Sequence, residues 1–133
     1  MKDMQKTPKI LRSLIVGFAS AVLLAACGGG GTTEPVEIPA DTDLEVRAVS
    51  GLRWDQTSYT APAGEINVAV VNDDTIRHTL VVIEGETIIP GFELEINRKG
   101  DVDSGTINLE PGTYSIFCTV PGHQNMKSEL IVE

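Results

Sequence analysis

The stretch "PGTYSIFCTVPGHQNMK" (residues 111–127) contains, in order, a turn, an apolar segment and a loop with three potential metal ligands. The Pro-Gly pair predicts the turn, and the aromatic and β-branched side chains after it predict a strand. Cys118, His123 and Met126 follow within a few residues. These three residue types serve as core side chains in some proteins and as redox or metal-binding groups in others. Their role depends on the rest of the chain.

Short apolar segments bounded by Gly, Pro or Asn lie on both sides of this stretch, and several of them alternate apolar with polar residues. Such alternation is typical of strands with one buried face. No stretch shows a helical period. We therefore predict an all-β domain, a Greek-key β-sandwich of about seven to eight strands. The predicted strand segments are residues 44–49, 65–72, 78–85, 87–96, 105–109, 113–118 and 128–133.

The beginning of the chain has the layout of a bacterial export signal. Basic residues precede an uncharged apolar run from Leu14 to Ala26, which at about 13 residues is shorter than the roughly 20 that a spanning helix needs. The run ends in Leu-Ala-Ala-Cys, which resembles the lipobox of bacterial lipoproteins. We predict that residues 1–26 are a lipoprotein signal peptide and that Cys27 is lipidated. The alternative is that Cys27 is a free thiol beside an ordinary cleavage site.

The segment after Cys27 is rich in Gly, Pro and acidic residues, and it contains too few apolar side chains to form a core. We predict a flexible tether over residues 27–43 and a single domain over residues 44–133. The formal net charge of the chain is −9, and four of the ten basic side chains lie in the leader. Nucleic acid is therefore excluded as a partner. The acidic surface either steers a basic partner protein or is simply solvated.

The chain has two cysteines and two histidines, which restricts the redox and metal-binding sites that it can form. If Cys27 carries lipid, Cys118 is the remaining thiol and forms no internal disulfide, so it is buried and inert, paired between molecules, or a metal thiolate. The two histidines, His78 and His123, each lie beside a predicted strand. A thiolate, two imidazoles and a weak axial thioether form the ligand set that suits copper in electron-transfer sites.

The segments "CTVPGH" (118–123), "NDDTIRHTLVV" (72–82) and "PGTYSIFC" (111–118) resemble the ligand regions of the cupredoxins. These small blue copper proteins include azurin, plastocyanin and amicyanin. The resemblance extends from about residue 44 to residue 133. It implies a Greek-key β-sandwich that binds one type 1 copper ion. Transferred by motif position, the copper ligands are His78, Cys118, His123 and Met126.

The spacing of the loop combines two patterns of that family. Four residues separate Cys118 from His123, as in azurin-like loops, but only two separate His123 from Met126, as in amicyanin-like loops. An oxygen of Gln124, or no axial ligand at all, is therefore the alternative to Met126. Thr79 stands where azurin-like proteins often have Asn, and we expect its backbone N–H to donate to the thiolate.

The resemblance implies an electron carrier that exchanges single electrons with partner redox proteins and is not an enzyme. We expect a monomer, held by the lipid on Cys27 at the extracytoplasmic face of a bacterial membrane, at the cell surface or in the periplasm. The alternative function is copper binding or handling without electron transfer. Asp73 and Asp74 are expected in a solvated turn, because adjacent side chains point in different directions and do not form a joint cation site.

Overall fold

The computed structural model describes residues 35–133, which form ten β-strands. The strands are β1 (Leu44–Val49), β2 (Arg53–Trp54), β3 (Ser58–Ala61), β4 (Gly64–Asn72), β5 (His78–Glu84), β6 (Thr87–Ile88), β7 (Leu94–Ile96), β8 (Val102–Leu109), β9 (Gly112–Phe117) and β10 (Lys127–Val132). Within residues 35–133, no helix has the length and apolar character that crossing a membrane requires.

The strands form two sheets that enclose one core. One sheet has the order β2-β1-β4-β8, and the other has the order β3-β10-β9-β5-β6 with β7 paired to β5. The pairs β1/β4 and β3/β10 are parallel, and the other pairs are antiparallel. The predicted all-β sandwich is confirmed. The strand count exceeds the predicted seven or eight because β2 and β3 lie outside the predicted segments and the predicted segment 87–96 is divided into β6 and β7.

The core is built from the inward-facing side of each strand. Along β1, Leu44, Val46 and Ala48 are buried and alternate with more exposed residues, and β10 contributes Leu130 and Val132 in the same way. This alternation follows from the two-residue repeat of a strand. Burial of each large aliphatic side chain stabilises the fold by about 1.5–3 kcal/mol. The sandwich is therefore a rigid support for the loops at its ends.

Two strand pairings place the loops that carry the candidate ligands. Strand β5 runs antiparallel to β9 with Val81 opposite Phe117, so the beginning of β5 lies beside the end of β9. Strand β10 begins at Lys127, which also pairs with Phe117, so residues 118–126 form the connection between β9 and β10. As a result, the residue that opens β5 lies next to this connection, which we call the ligand loop.

The segment before β1 is attached to β4. The Asp43 N–H donates to the Asn67 carbonyl (2.8 Å), and the Asp43 carboxylate accepts the Asn67 N–H (2.9 Å). The Asn67 side chain also donates to the Asp41 carbonyl (3.1 Å). The predicted signal peptide, Cys27 and the first part of the predicted tether lie outside the described residues. The division of the chain at residues 26 and 43 stays a prediction.

Candidate metal centre

His78 opens β5, and its side chain is fully buried. It lies on the same face of β5 as Leu80 and Val82, both of which belong to the core. The loop before it is shaped by Asn72, the last residue of β4. The Asn72 amide group donates to the Ile76 carbonyl (2.8 Å) and accepts the Asp74 N–H (2.9 Å). His78 therefore enters the sheet from a loop whose backbone is held by side-chain hydrogen bonds.

The ligand loop is closed by its own backbone hydrogen bonds. The Cys118 N–H donates to the Met126 carbonyl (3.1 Å), and the Met126 N–H donates to the His123 carbonyl (2.8 Å). The His123 N–H donates to the Val120 carbonyl (3.0 Å). Gly122 has a φ of 90°, a conformation that residues with a Cβ rarely adopt. The turn thus fixes the backbone of all three potential ligands relative to one another.

The structure brings His78 of β5 together with Cys118 and His123 of the ligand loop. One donor atom from each of the three residues lies within 4.8 Å of the others. Cys118 Sγ is 3.6 Å from His123 Nδ1, and the centroids of the two imidazole rings are 5.0 Å apart. Cys118 is 1% exposed and His123 is 9% exposed. Three of the four residues predicted from the sequence therefore form one buried cluster of nitrogen and sulfur donors.

The nitrogen atoms of His78 show that this cluster fits a metal ion. Its Nε2 lies 3.2 Å from Asp74 Oδ2, whereas its Nδ1 is buried and has no hydrogen-bond partner among the described residues. Buried polar atoms rarely lack a partner, and a metal ion at Nδ1 would supply one. Burial lowers the pKa of His78, against the opposing effect of Asp74. A lowered pKa favours the neutral imidazole, which is the form that binds metals.

Comparisons with known proteins agree with this fold. No protein-family model matches the chain. Auracyanin-A of Chloroflexus aurantiacus is 26% identical over 90% of this chain and 94% of its own length. The structure of that protein, a "blue" copper protein, matches with a TM-score of 0.57 at 21% identity, over 67% of this chain and 96% of the other.

Two further structures have the same fold. Auracyanin from Roseiflexus castenholzii matches with a TM-score of 0.60 at 23% identity, over 71% of this chain and 99% of the other. A purple cupredoxin from Nitrosopumilus maritimus matches with a TM-score of 0.56 at 21% identity, over 68% of this chain and 100% of the other. The chain therefore has the cupredoxin fold.

The sulfur of Cys118 accepts two hydrogen bonds from Thr79. The Thr79 N–H lies 3.4 Å from Cys118 Sγ, and the Thr79 hydroxyl lies 3.8 Å from it. The predicted donation from the Thr79 backbone is confirmed. Hydrogen bonds to a thiolate reduce its basicity and tune a metal bound to it. The hydroxyl contact was not predicted, because the sequence does not show which rotamer Thr79 adopts.

Met126 lies in the core of the sandwich and is fully buried. Its backbone is hydrogen-bonded to both Cys118 and His123, as described above. The side chain of Gln124, the alternative axial ligand, is exposed. Burial favours Met126 over Gln124, and the role of Met126 as the axial ligand stays a prediction.

The expectation of a solvated turn at Asp73 and Asp74 is wrong for Asp74. Asp73 is half-buried and forms an ion pair with Arg47 (3.0 Å). Asp74 is 8% exposed and contacts His78. The two side chains do point in different directions, as expected, but that of Asp74 points toward the candidate metal centre. The signal in the sequence is a carboxylate four residues before a histidine at the start of a strand.

The donor set of this candidate site fits one copper ion. A soft thiolate stabilises Cu(I), and neutral imidazoles bind both Cu(I) and Cu(II). Since all three donors are at least nine-tenths buried, the surrounding core excludes water from most of the site. The thiolate, two imidazoles and a nearby thioether are typical of sites that transfer electrons.

Proposed function

We propose that this protein is a cupredoxin and a blue copper electron carrier, with one type 1 copper ion held by His78, Cys118, His123 and Met126. The observation that carries the proposal is the buried cluster in which one thiol and two imidazoles approach within 4.8 Å. When bound, copper supplies a one-electron exchange between Cu(I) and Cu(II). The auracyanin A structure is that of a "blue" copper protein, which supports the same assignment here.

The protein residues keep the donors in place during that exchange. His78 is fixed in β5, and Cys118 directly follows β9, so neighbouring strands of one sheet hold both. The backbone hydrogen bonds of the ligand loop hold His123 and Met126. A donor set fixed by its scaffold changes little in geometry when the charge of a bound ion changes. A small rearrangement favours fast electron transfer.

His123 is the candidate point of electron entry and exit. Its side chain is 9% exposed, whereas those of His78, Cys118 and Met126 are at most 1% exposed. The neighbouring Pro121 and Gly122 are exposed. We infer that donor and acceptor redox proteins dock against this end of the sandwich. The chain then acts as a monomeric carrier between them and is not an enzyme.

We further propose that the carrier is exported and tethered. The support is the sequence: a leader over residues 1–26, a lipobox that ends at Cys27 and a Gly-rich segment up to residue 43. A lipid on Cys27 would hold the domain at the extracytoplasmic face of a bacterial membrane, at the cell surface or in the periplasm, without a spanning segment. The tether would let the domain reach its partners.

Visible absorption of the full-length chain in mild detergent tests the copper centre. We expect that Cu(II) produces an intense charge-transfer band, that reductant bleaches it reversibly, and that the Cys118→Ser variant lacks it. The Cys27→Ser variant is the matched control, because it removes the other cysteine and should keep the band. A wild-type protein that binds copper without this band would contradict electron transfer and favour the copper-handling function.

A further inference from the structure

We propose that Asp74 is a positioning residue of the copper centre, which fixes the tautomer of His78 and lowers the reduction potential of the site. The inference rests on the proposed function, because only a site that exchanges electrons has such a potential. The contact joins His78, a proposed copper ligand, to Asp74, which is not one of the proposed ligands. It begins from the distance of 3.2 Å between Asp74 Oδ2 and His78 Nε2.

This contact determines which nitrogen of His78 carries the proton. A carboxylate only accepts hydrogen bonds, so the Nε2 atom must be the donor. The proton on Nε2 leaves a lone pair on Nδ1, the buried atom that has no other partner among the described residues. Nδ1 is thereby the atom available to a metal. Asp74 thus prepares His78 for copper before the ion arrives.

Asp74 is itself held in place for this contact. Its N–H donates to Asn72 Oδ1 (2.9 Å), and its Oδ1 accepts the Thr75 N–H (2.7 Å). One carboxylate oxygen therefore bonds the loop backbone, while the other faces His78. The Asp74 side chain is 10% exposed and that of His78 is fully buried, so little water competes with the contact.

The charge of Asp74 affects the two oxidation states of copper unequally. A carboxylate that accepts from a ligating imidazole makes the imidazole a stronger donor, which favours the more highly charged Cu(II). Burial strengthens this effect because the surrounding dielectric is low. Stabilisation of Cu(II) relative to Cu(I) lowers the reduction potential. The neighbouring Asp73 carries the same charge, but its side chain is 39% exposed and pairs with Arg47 (3.0 Å).

The first arm of the test uses the full-length, metal-free protein in mild detergent. Long-range ¹H–¹⁵N NMR of the two histidines reports the tautomer of His78. We expect the Nε2–H tautomer in the wild type and in Asp73→Asn. Asp74→Ala removes the acceptor and should give a substantial population of the Nδ1–H tautomer. An unchanged tautomer in Asp74→Ala would overturn the positioning role, and this readout requires no copper.

The second arm compares the copper-loaded Asp74→Asn and Asp73→Asn variants. Asp74→Asn keeps an oxygen for the Thr75 N–H and removes the charge beside His78. Loss of such a partner weakens metal affinity by about 10–100-fold. If the affinity for Cu(II) fell tenfold while the affinity for Cu(I) stayed the same, the reduction potential would rise by about 59 mV. We expect a rise in Asp74→Asn and little change in Asp73→Asn, and equal potentials in the two variants would overturn the inference.

The two arms separate the failure of this inference from the failure of the proposed function. A wild-type protein without a thiolate–copper band would refute the electron carrier, whereas the NMR experiment would still decide whether Asp74 positions His78. A wild-type protein with the band, together with identical Asp74→Asn and Asp73→Asn potentials, would refute the role of Asp74 in setting the potential and leave the electron carrier in place.

Discussion

Thr79 connects β5 to the ligand loop through one hydroxyl group. That hydroxyl accepts the Thr119 N–H (2.8 Å), shares a hydrogen bond with the Thr119 hydroxyl (2.7 Å) and lies beside Cys118 Sγ. Thr79 is 2% exposed. Since Thr119 directly follows Cys118, these bonds hold the backbone next to the thiolate.

Replacement of Thr79 by valine, which has a similar shape, tests the role of the hydroxyl group alone. Thr79→Val keeps the volume and the backbone N–H but leaves the partly buried Thr119 N–H without its acceptor. We expect the free energy of unfolding, measured by urea titration of the metal-free protein, to fall by about 1–3 kcal/mol. Thr79→Ser keeps the hydroxyl and should lose less. Equal losses in the two variants would show that the hydroxyl does not hold the loop.

The candidate ligand residues could be predicted from the sequence, whereas the contacts around them could not. Cys118, His123 and Met126 lie in one short loop, and the chain has only one other histidine. The contact of Asp74 with His78 depends on the path of the loop after β4, which the Asn72 side chain determines. Such a path results from individual hydrogen bonds and leaves no periodic pattern in the sequence. The same holds for the rotamer of Thr79.

At the scale of strands, the long elements were predictable and the short ones were not. Residues 44–49 and 65–72 alternate apolar and polar side chains, and they correspond to β1 and most of β4. Strand β2 has two residues, too few for any alternation. Strand β3 lies in a polar stretch, and its position depends on its parallel pairing with β10, which is distant in sequence. The predicted segment 87–96 is divided between β6 and β7, since Pro90 and Gly91 interrupt it.

Strand β3 carries a titratable group that makes the stability of the fold depend on pH. The Tyr59 hydroxyl donates to Asp55 Oδ1 (2.5 Å) and accepts the Gln56 N–H (3.2 Å). Burial, followed by the bond to Asp55, raises the pKa of Tyr59 far above its ordinary value of 10.0. The folded state therefore disfavours the phenolate. The stabilising contribution is fully present below pH 10, where Tyr59 is protonated in the folded and unfolded states, and it is lost as the pH rises above 10.

We therefore expect the free energy of unfolding to fall between pH 10 and pH 11.5, with Tyr59 contributing a slope of up to about 1.4 kcal/mol per pH unit. Tyr59→Phe removes this contribution and should give a shallower slope, although we expect it to be less stable at neutral pH because it loses the hydrogen bonds of the hydroxyl. Burial also raises the pKa of Tyr114, which remains in both proteins and therefore cancels in the comparison. Urea titrations at several pH values measure both slopes. Equal slopes in the wild type and in Tyr59→Phe would show that Tyr59 ionises as easily in the folded state as in the unfolded state.

At the scale of the whole molecule, the sandwich separates two requirements of an electron carrier. The donor atoms need a rigid and dry environment, and the core and the β5/β9 pairing provide it. A partner would need access to one edge of the site, and His123 of the ligand loop is the proposed point of access. Attachment at the N-terminus would leave the domain free to turn that end toward donor and acceptor.

Lipidation of Cys27 is the remaining requirement for a tethered carrier. When the full-length gene is expressed in a bacterial host, we expect the protein in the membrane fraction, with a mature mass that begins at Cys27 and includes acyl chains. Two or more chains anchor a protein stably, whereas one chain gives only reversible binding. Cys27→Ser should lack the acyl mass, and Cys118→Ser, which removes the other cysteine, should retain it. A mature wild-type chain without added acyl mass, recovered from the soluble fraction, would contradict the anchor and leave a freely diffusing carrier.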